Sequence, residues 1–180
     1  MKSNNRAIQK AAIISGFSLL IMTILSFIIF PSLQATTFSK FGIAIIIILD
    51  VIVAITLYHV LKPVNSNLSF LMALSRVVYA VIFTIALLKI SDLSIFNSIW
   101  ERGLLVFGVH LLLLGVLVYN SNFIPKLIGI LVMITSVGYI IDSIGIYFGY
   151  SLQIAMFTFF GELVLMIWLL IKGSKIQIQN

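Results

Sequence analysis

Six uninterrupted apolar runs dominate this 180-residue chain, at about 11–30, 41–61, 68–89, 102–119, 126–147 and 152–172. Each is close to the ~20 residues a helix needs to cross the hydrocarbon core of a bilayer. Lipid offers no water to satisfy backbone N–H and C=O groups, so a run of this length must bond its own backbone as a helix. The pattern predicts an all-α, polytopic membrane helix bundle with six transmembrane helices, forming one integral membrane domain over 1–180. A barrel does not fit, because the runs are too long and lack period-two alternation. Turn residues separate them: Pro31 with Ser32, Pro63 with Asn65 and Asn67, and Asn120, Ser121, Asn122 and Pro125. Pro125 suits a first helical turn, where its missing N–H costs nothing.

Composition closes off the soluble alternative. Only 9% of residues are charged and 62% are hydrophobic, whereas a soluble domain carries about 25% charge. The net charge of +6 flanks the apolar runs and builds no basic stripe, which argues against nucleic acid as a partner and for the lipid bilayer. There are no cysteines, hence no disulfide framework and no thiolate chemistry. Lys2, Arg6 and Lys10 before an apolar run resemble a signal peptide, but the run is long and no small-residue cleavage site follows it. It is read as a retained first helix.

Loop charges give an orientation in the cell membrane. With the N-terminus cytoplasmic, that side holds Lys2, Arg6, Lys10, Lys62, Lys126, Lys172 and Lys175, against Lys40, Lys89 and Arg102 on the other. Seven against three places both termini in the cytoplasm. Tyr58, Tyr119 and Trp168 fall near the inner boundary, and Trp100, Tyr147 and Tyr150 near the outer one. In the longest loop, Ile90 to Glu101, Leu93, Phe96, Ile99 and Trp100 recur at helical spacing against Asp92, Asn97 and Ser98. Both a short amphipathic helix on the outer interface and an irregular loop are compatible with it.

The residues that bear on function are the polar exceptions. Three of the five acidic residues, Asp50, Asp142 and Glu162, fall within predicted spans, together with Arg76 and His110. Each charge costs about 2.5–3.5 kcal/mol at a bilayer centre, so such groups face the bundle interior and pair. Counting at ~1.5 Å per residue puts Asp50, His110 and Glu162 roughly 12–15 Å from the outer boundary. Arg76 can reach the same layer, and Asp142 lies a little above it. Gly138, Asp142, Gly145 and Gly149 share one small-residue face, which turns Asp142 toward protein. Arg76 stays charged and needs a carboxylate partner.

Two hairpins also look alike. The one from Asp50 to Tyr79 ends in LSRVVYA, and the one from His110 to Tyr139 ends in ITSVGYI, each after a terminal tyrosine and a proline loop. Parallel repeats of this kind occur in transporters. The candidate cluster, for binding or carrying protons, is therefore Asp50, Arg76, Tyr79, His110, Tyr139, Asp142 and Glu162.

Established chemical templates do not fit. His59 and His110 lie roughly 15 Å apart along the membrane normal, too far for bis-histidine haem ligation. HExxH and a phosphate-cradling glycine loop are absent. The sequences ILDVIV and YIIDSIG around Asp50 and Asp142 carry no aspartyl-protease signature. No catalytic residue, metal or cofactor is assigned. The leading reading is a small transport or sensing protein whose cluster responds to protons or a small polar ligand. One alternative is a structural or assembly subunit whose cluster only fixes helix packing, and another is an intramembrane metal-dependent enzyme.

Five blocks, LKPVNSNLS with SRVVYA, FGVHLLLLG, FIPKLIG, GYIIDS and FGELVLMIWLLIKG, stand in this order from the second run to the end. Their order and spacing resemble a bacterial family of multi-pass membrane proteins, domain-of-unknown-function 4386. The resemblance implies the fold and a membrane location, and carries no mechanism.

Overall fold

Helix starts follow from capping side chains. Thr36 accepts the Ser39 N–H, Asn65 accepts the Leu68 N–H, and Asp92 accepts those of Ser94 and Ile95. They open α2 (Thr37–Leu61), α3 (Ser66–Leu88) and α4 (Leu93–Asn120), while Pro125 precedes α5 (Lys126–Tyr147). The computed structural model describes residues 2–177. Within them α1 (Lys2–Ile29) comes first, and a short α6 (Ala155–Thr158) is followed by α7 (Phe160–Lys172). No strand occurs among the described residues. Six segments are long and apolar enough to cross a membrane: α1 to α5, and Ala155–Lys175 taken together.

The segment before the fourth span is neither an isolated interfacial helix nor an irregular loop. It is the beginning of α4, started by Asp92 and continuous to Asn120. At 28 residues, α4 is about 42 Å long and overshoots a ~30 Å hydrocarbon core, so its amphipathic first turns stand in the interface. The Ile95 and Ser94 N–H groups hold the Asp92 carboxyl below the usual carboxylate range. A lowered value means the cap acts at neutral pH and is lost only as acid protonates it.

The helices form a ring in chain order: α1 packs on α2, α2 on α3, α3 on α4, α4 on α5, α5 on α7, and α7 back on α1. Gly16 against Leu170 and Gly173 against Ala12 let α7 close on α1. The α4–α5 seam is the tightest and repeats every seven residues. Ser143 donates to the Glu101 carbonyl at 3.1 Å, Ser136 donates to the Gly108 carbonyl at 2.8 Å, and Gly115 meets Gly129 backbone to backbone. These pairs stand 21, 14 and 7 residues either side of Asn122. A small residue at each level on one helix or both brings the helices close, the usual route to helix association in lipid.

Outside the ring, Phe17, Phe27, Phe41, Ile48, Ile55, Val81 and Phe157 are exposed. Inside it, Arg76, Asp50, His110, Ser69, Thr135 and Ser136 are buried. An apolar exterior, with the buried polar groups confined to the interior among packed apolar side chains, suits lipid as the surrounding solvent.

Candidate functional site

Arg76, near the middle of α3, points into the ring and is fully buried. Its Nε donates to Asp50 Oδ1 of α2 at 2.8 Å, and its Nη1 donates to Glu162 Oε1 of α7 at 3.1 Å. Nη1 also lies 3.1 Å from His110 Nε2 of α4. The guanidinium sits over the Phe107 ring, 5.3 Å from its centroid, adding a cation–π contact. One side chain thus ties together four of the six spans.

The contacts of His110 fix its tautomer. Nδ1 is 2.8 Å from the Met72 carbonyl, which can only accept, so Nδ1 carries the proton. Nε2 faces a guanidinium nitrogen, which can only donate, so Nε2 presents its lone pair. His110 is neutral here, and both ring nitrogens are spent. Among the described residues no three His, Asp or Glu side chains converge as metal ligands.

The charge count then leaves a surplus. Arg76 contributes one positive charge, and Asp50 with Glu162 contribute two negative ones when both are ionised. A proton on one carboxylate would make the set neutral. The two are unequal: the Asp50 side chain is 1% exposed and that of Glu162 is 21%. Glu162 also sits in the first turn of α7, where the helix dipole favours negative charge. Asp50 Oδ2 and Arg76 Nη2 are buried without a hydrogen-bond partner, which leaves one acceptor and one donor unused in the core.

The position of Glu162 depends on a break in the last span. The helix is irregular at Phe159 between α6 and α7, although its backbone stays in the right-handed region, and Thr135 of α5 bonds on both sides of this break. Its hydroxyl reaches the Thr158 carbonyl and accepts the Gly161 N–H at 3.1 Å. Gly161 lies against the Leu131 carbonyl and Gly138 against Thr158, each so close that a Cβ would clash.

Of the seven candidates, four meet: Asp50, Arg76, His110 and Glu162. Two line the next layer. Tyr79 accepts a 3.0 Å hydrogen bond from Trp100 and packs on Phe107, and Tyr139 stands edge-on to the same ring. The two look-alike hairpins therefore converge, Asp50 and His110 on Arg76, Tyr79 and Tyr139 on Phe107. Asp142 stands apart from the core. Its Oδ1 and Oδ2 accept the N–H groups of Ile154 and Ala155, each at 2.7 Å, so it caps the start of the last span. Gly138, Asp142 and Gly145 do turn toward protein, but toward residues 150–158, while Gly149 lies past the end of α5 with φ 82° and meets nothing.

Asp142→Ala should raise amide exchange across 153–158 and cost roughly 2 kcal/mol, since charge-assisted bonds are worth about 1.5–3 kcal/mol. The Arg76 core should be unchanged. Equal loss of protection around Arg76 would contradict this separation.

Sequence reasoning missed Thr135, Phe107 and Trp100. Trp100, expected near the outer boundary, stacks on Phe30 at 4.7 Å and donates to Tyr79. Its helical register with Phe96 was the available signal.

The family described as Domain of unknown function (DUF4386) matches residues 34–94 and 90–173, which include all seven candidates. An uncharacterised protein of Archaeoglobus fulgidus is 52% identical over 156 residues, 87% of this chain and 96% of the relative. No solved structure matches.

Proposed function

The chain belongs to the DUF4386 family, and we propose that its buried core makes it a proton-responsive protein of the cell membrane, a small transporter or sensor. The carrying observation is the pairing of two carboxylates with one guanidinium, of which only Glu162 has appreciable exposure. Protonation of Glu162 removes the attraction that holds α7 to Arg76, and α7 joins the ring through few other polar contacts. The groups facing Glu162 are Arg76 from α3, Asp50 from α2, His110 from α4 and Tyr139 from α5. Past Lys10, α1 has no ionisable side chain, and α7 has none other than Glu162 before Lys172. The unused Asp50 Oδ2 and Arg76 Nη2 would accept a small polar ligand at the same place. Seven Lys or Arg at one end against three at the other support cytoplasmic termini.

Glu162→Gln provides the test, because glutamine keeps the shape and a hydrogen bond while removing the carboxylate charge. Reconstituted wild-type protein should show a carboxyl infrared band that appears on acidification, and pH-driven proton or solute flux. Both should fall at least about tenfold in the variant, with its unfolding temperature nearly unchanged. A second reading, a network that only fixes helix packing, draws on the burial of Asp50, Arg76 and His110 to 1% or less. It is the better one if Glu162→Gln lowers stability and wild type shows neither band nor flux.

A further inference from the structure

The end of the ring opposite Asp92 has a charge distribution that the core does not explain. It carries Lys2, Arg6, Lys10, Lys62, Lys126, Lys172 and Lys175, and none of the chain's Asp or Glu side chains. Within it lies a cavity of about 780 Å³, in the size range of small-molecule sites. Three stretches far apart in sequence make its walls: the α2–α3 turn at Pro63 and Val64, the α4–α5 turn at Asn120 to Pro125, and the chain from Trp168 to Gln177.

The last wall is a built one. After α7 a 3₁₀ turn (Gly173–Lys175) lays the chain back along α1. Gly173 packs on Ala12, Ile176 is buried, and Gln9 donates to the Ile176 carbonyl at 2.9 Å. Lys172 and Lys175 are thereby held at the cavity and exposed. The two sides of the cavity differ. Lys172, Lys175, Asn120, Asn122 and Gln177 supply cationic and amide groups, and Val64, Phe123, Trp168 and Ile176 supply apolar and aromatic surface.

We propose that this cavity binds the headgroup phosphate of an anionic phospholipid, with its glycerol and upper acyl carbons against Phe123 and Trp168. Two cations with no acidic side chain nearby select an anion, and basic pockets between helices at the membrane surface hold anionic headgroups. The apolar wall argues for an amphiphile over a free ion. Trp168 stands where indole rings settle, at the headgroup level. Nothing in this depends on the core or on proton responsiveness.

Native mass spectrometry of the full chain, released from detergent doped with phosphatidylglycerol or phosphatidylcholine, tests the proposal. One phosphatidylglycerol per chain should be retained in preference to phosphatidylcholine. The Lys172→Gln/Lys175→Gln variant should bind it roughly 10- to 30-fold more weakly, since each interfacial lysine contributes about a factor of five. Both side chains are exposed, so the variant should melt with wild type. Lys40→Gln/Lys89→Gln, at the other end, should bind as wild type. Equal retention of the two lipids, or an unaffected Lys172/Lys175 variant, would overturn the site. Displacement of the lipid by millimolar inorganic phosphate would show a free-anion site and overturn the lipid assignment.

Discussion

Arg76→Met is expected to cost about 3–5 kcal/mol, the usual loss when one member of a buried ion pair is removed. The residue binds groups on α2, α4 and α7 at once, and its loss leaves Asp50 buried to 1% with no counter-charge. Thermal unfolding in mild detergent, followed by tryptophan fluorescence, measures it. Arg76→Lys should recover little. An ammonium is a point charge, while the three partners here are arranged around a planar fork. The double variant Arg76→Met/Asp50→Leu should recover much of the loss, because it removes the stranded charge along with its partner. A single Arg76→Met that melts within a degree or two of wild type would show that the pair contributes nothing net.

The second large effect is expected at Gly161. A Cβ there meets the Leu131 carbonyl, which is backbone and cannot rotate away, so Gly161→Val should push α7 off α5. Overpacking of this kind typically costs about 1–3 kcal/mol, and the loss should exceed that because Thr135 releases the Gly161 N–H in the same movement. Displacing α7 also withdraws Glu162 from Arg76. The signature is raised amide exchange over 155–165 together with loss of whatever proton response the wild type shows. Ile171→Ala, on the exposed side of the same helix, should change neither. Wild-type exchange across 155–165 in Gly161→Val would remove the argument that the break is held by contact with α5.

Fold class was legible because each span has to satisfy its backbone alone, which leaves a long, uniform mark in the sequence. The core was legible for a related reason. Asp50, Arg76, His110 and Glu162 are costly in lipid, so their rarity and depth alone located the layer in which they meet. What failed was counting along helices assumed to be whole. Asp142, counted along the fifth helix to a level a little above the core, serves the start of the last span, which was taken to begin at 152 as a regular helix. The chain instead stays irregular to Ile154 and is irregular again at Phe159. No proline marks that break: it is bridged by Thr135, 23 residues earlier in the chain, a tertiary contact invisible to local pattern. The amphipathic segment before Arg102 was read as separate because its polarity differs from the span. Asp92, a good capping residue followed by an unbroken helical pattern, was the sign that it belonged to α4.

The order of the ring also bears on biogenesis. A chain threaded into lipid from its N-terminus delivers Asp50 before Arg76, on the adjacent arm of one hairpin, so the guanidinium enters already matched by opposite charge. His110 comes next and supplies a neutral acceptor. Glu162 arrives last of all, on the helix that closes the ring against α1. A nascent chain stalled before the final span would hold Arg76 with two of its three partners and an open seam. Closure of the ring and completion of its charge set are then one event.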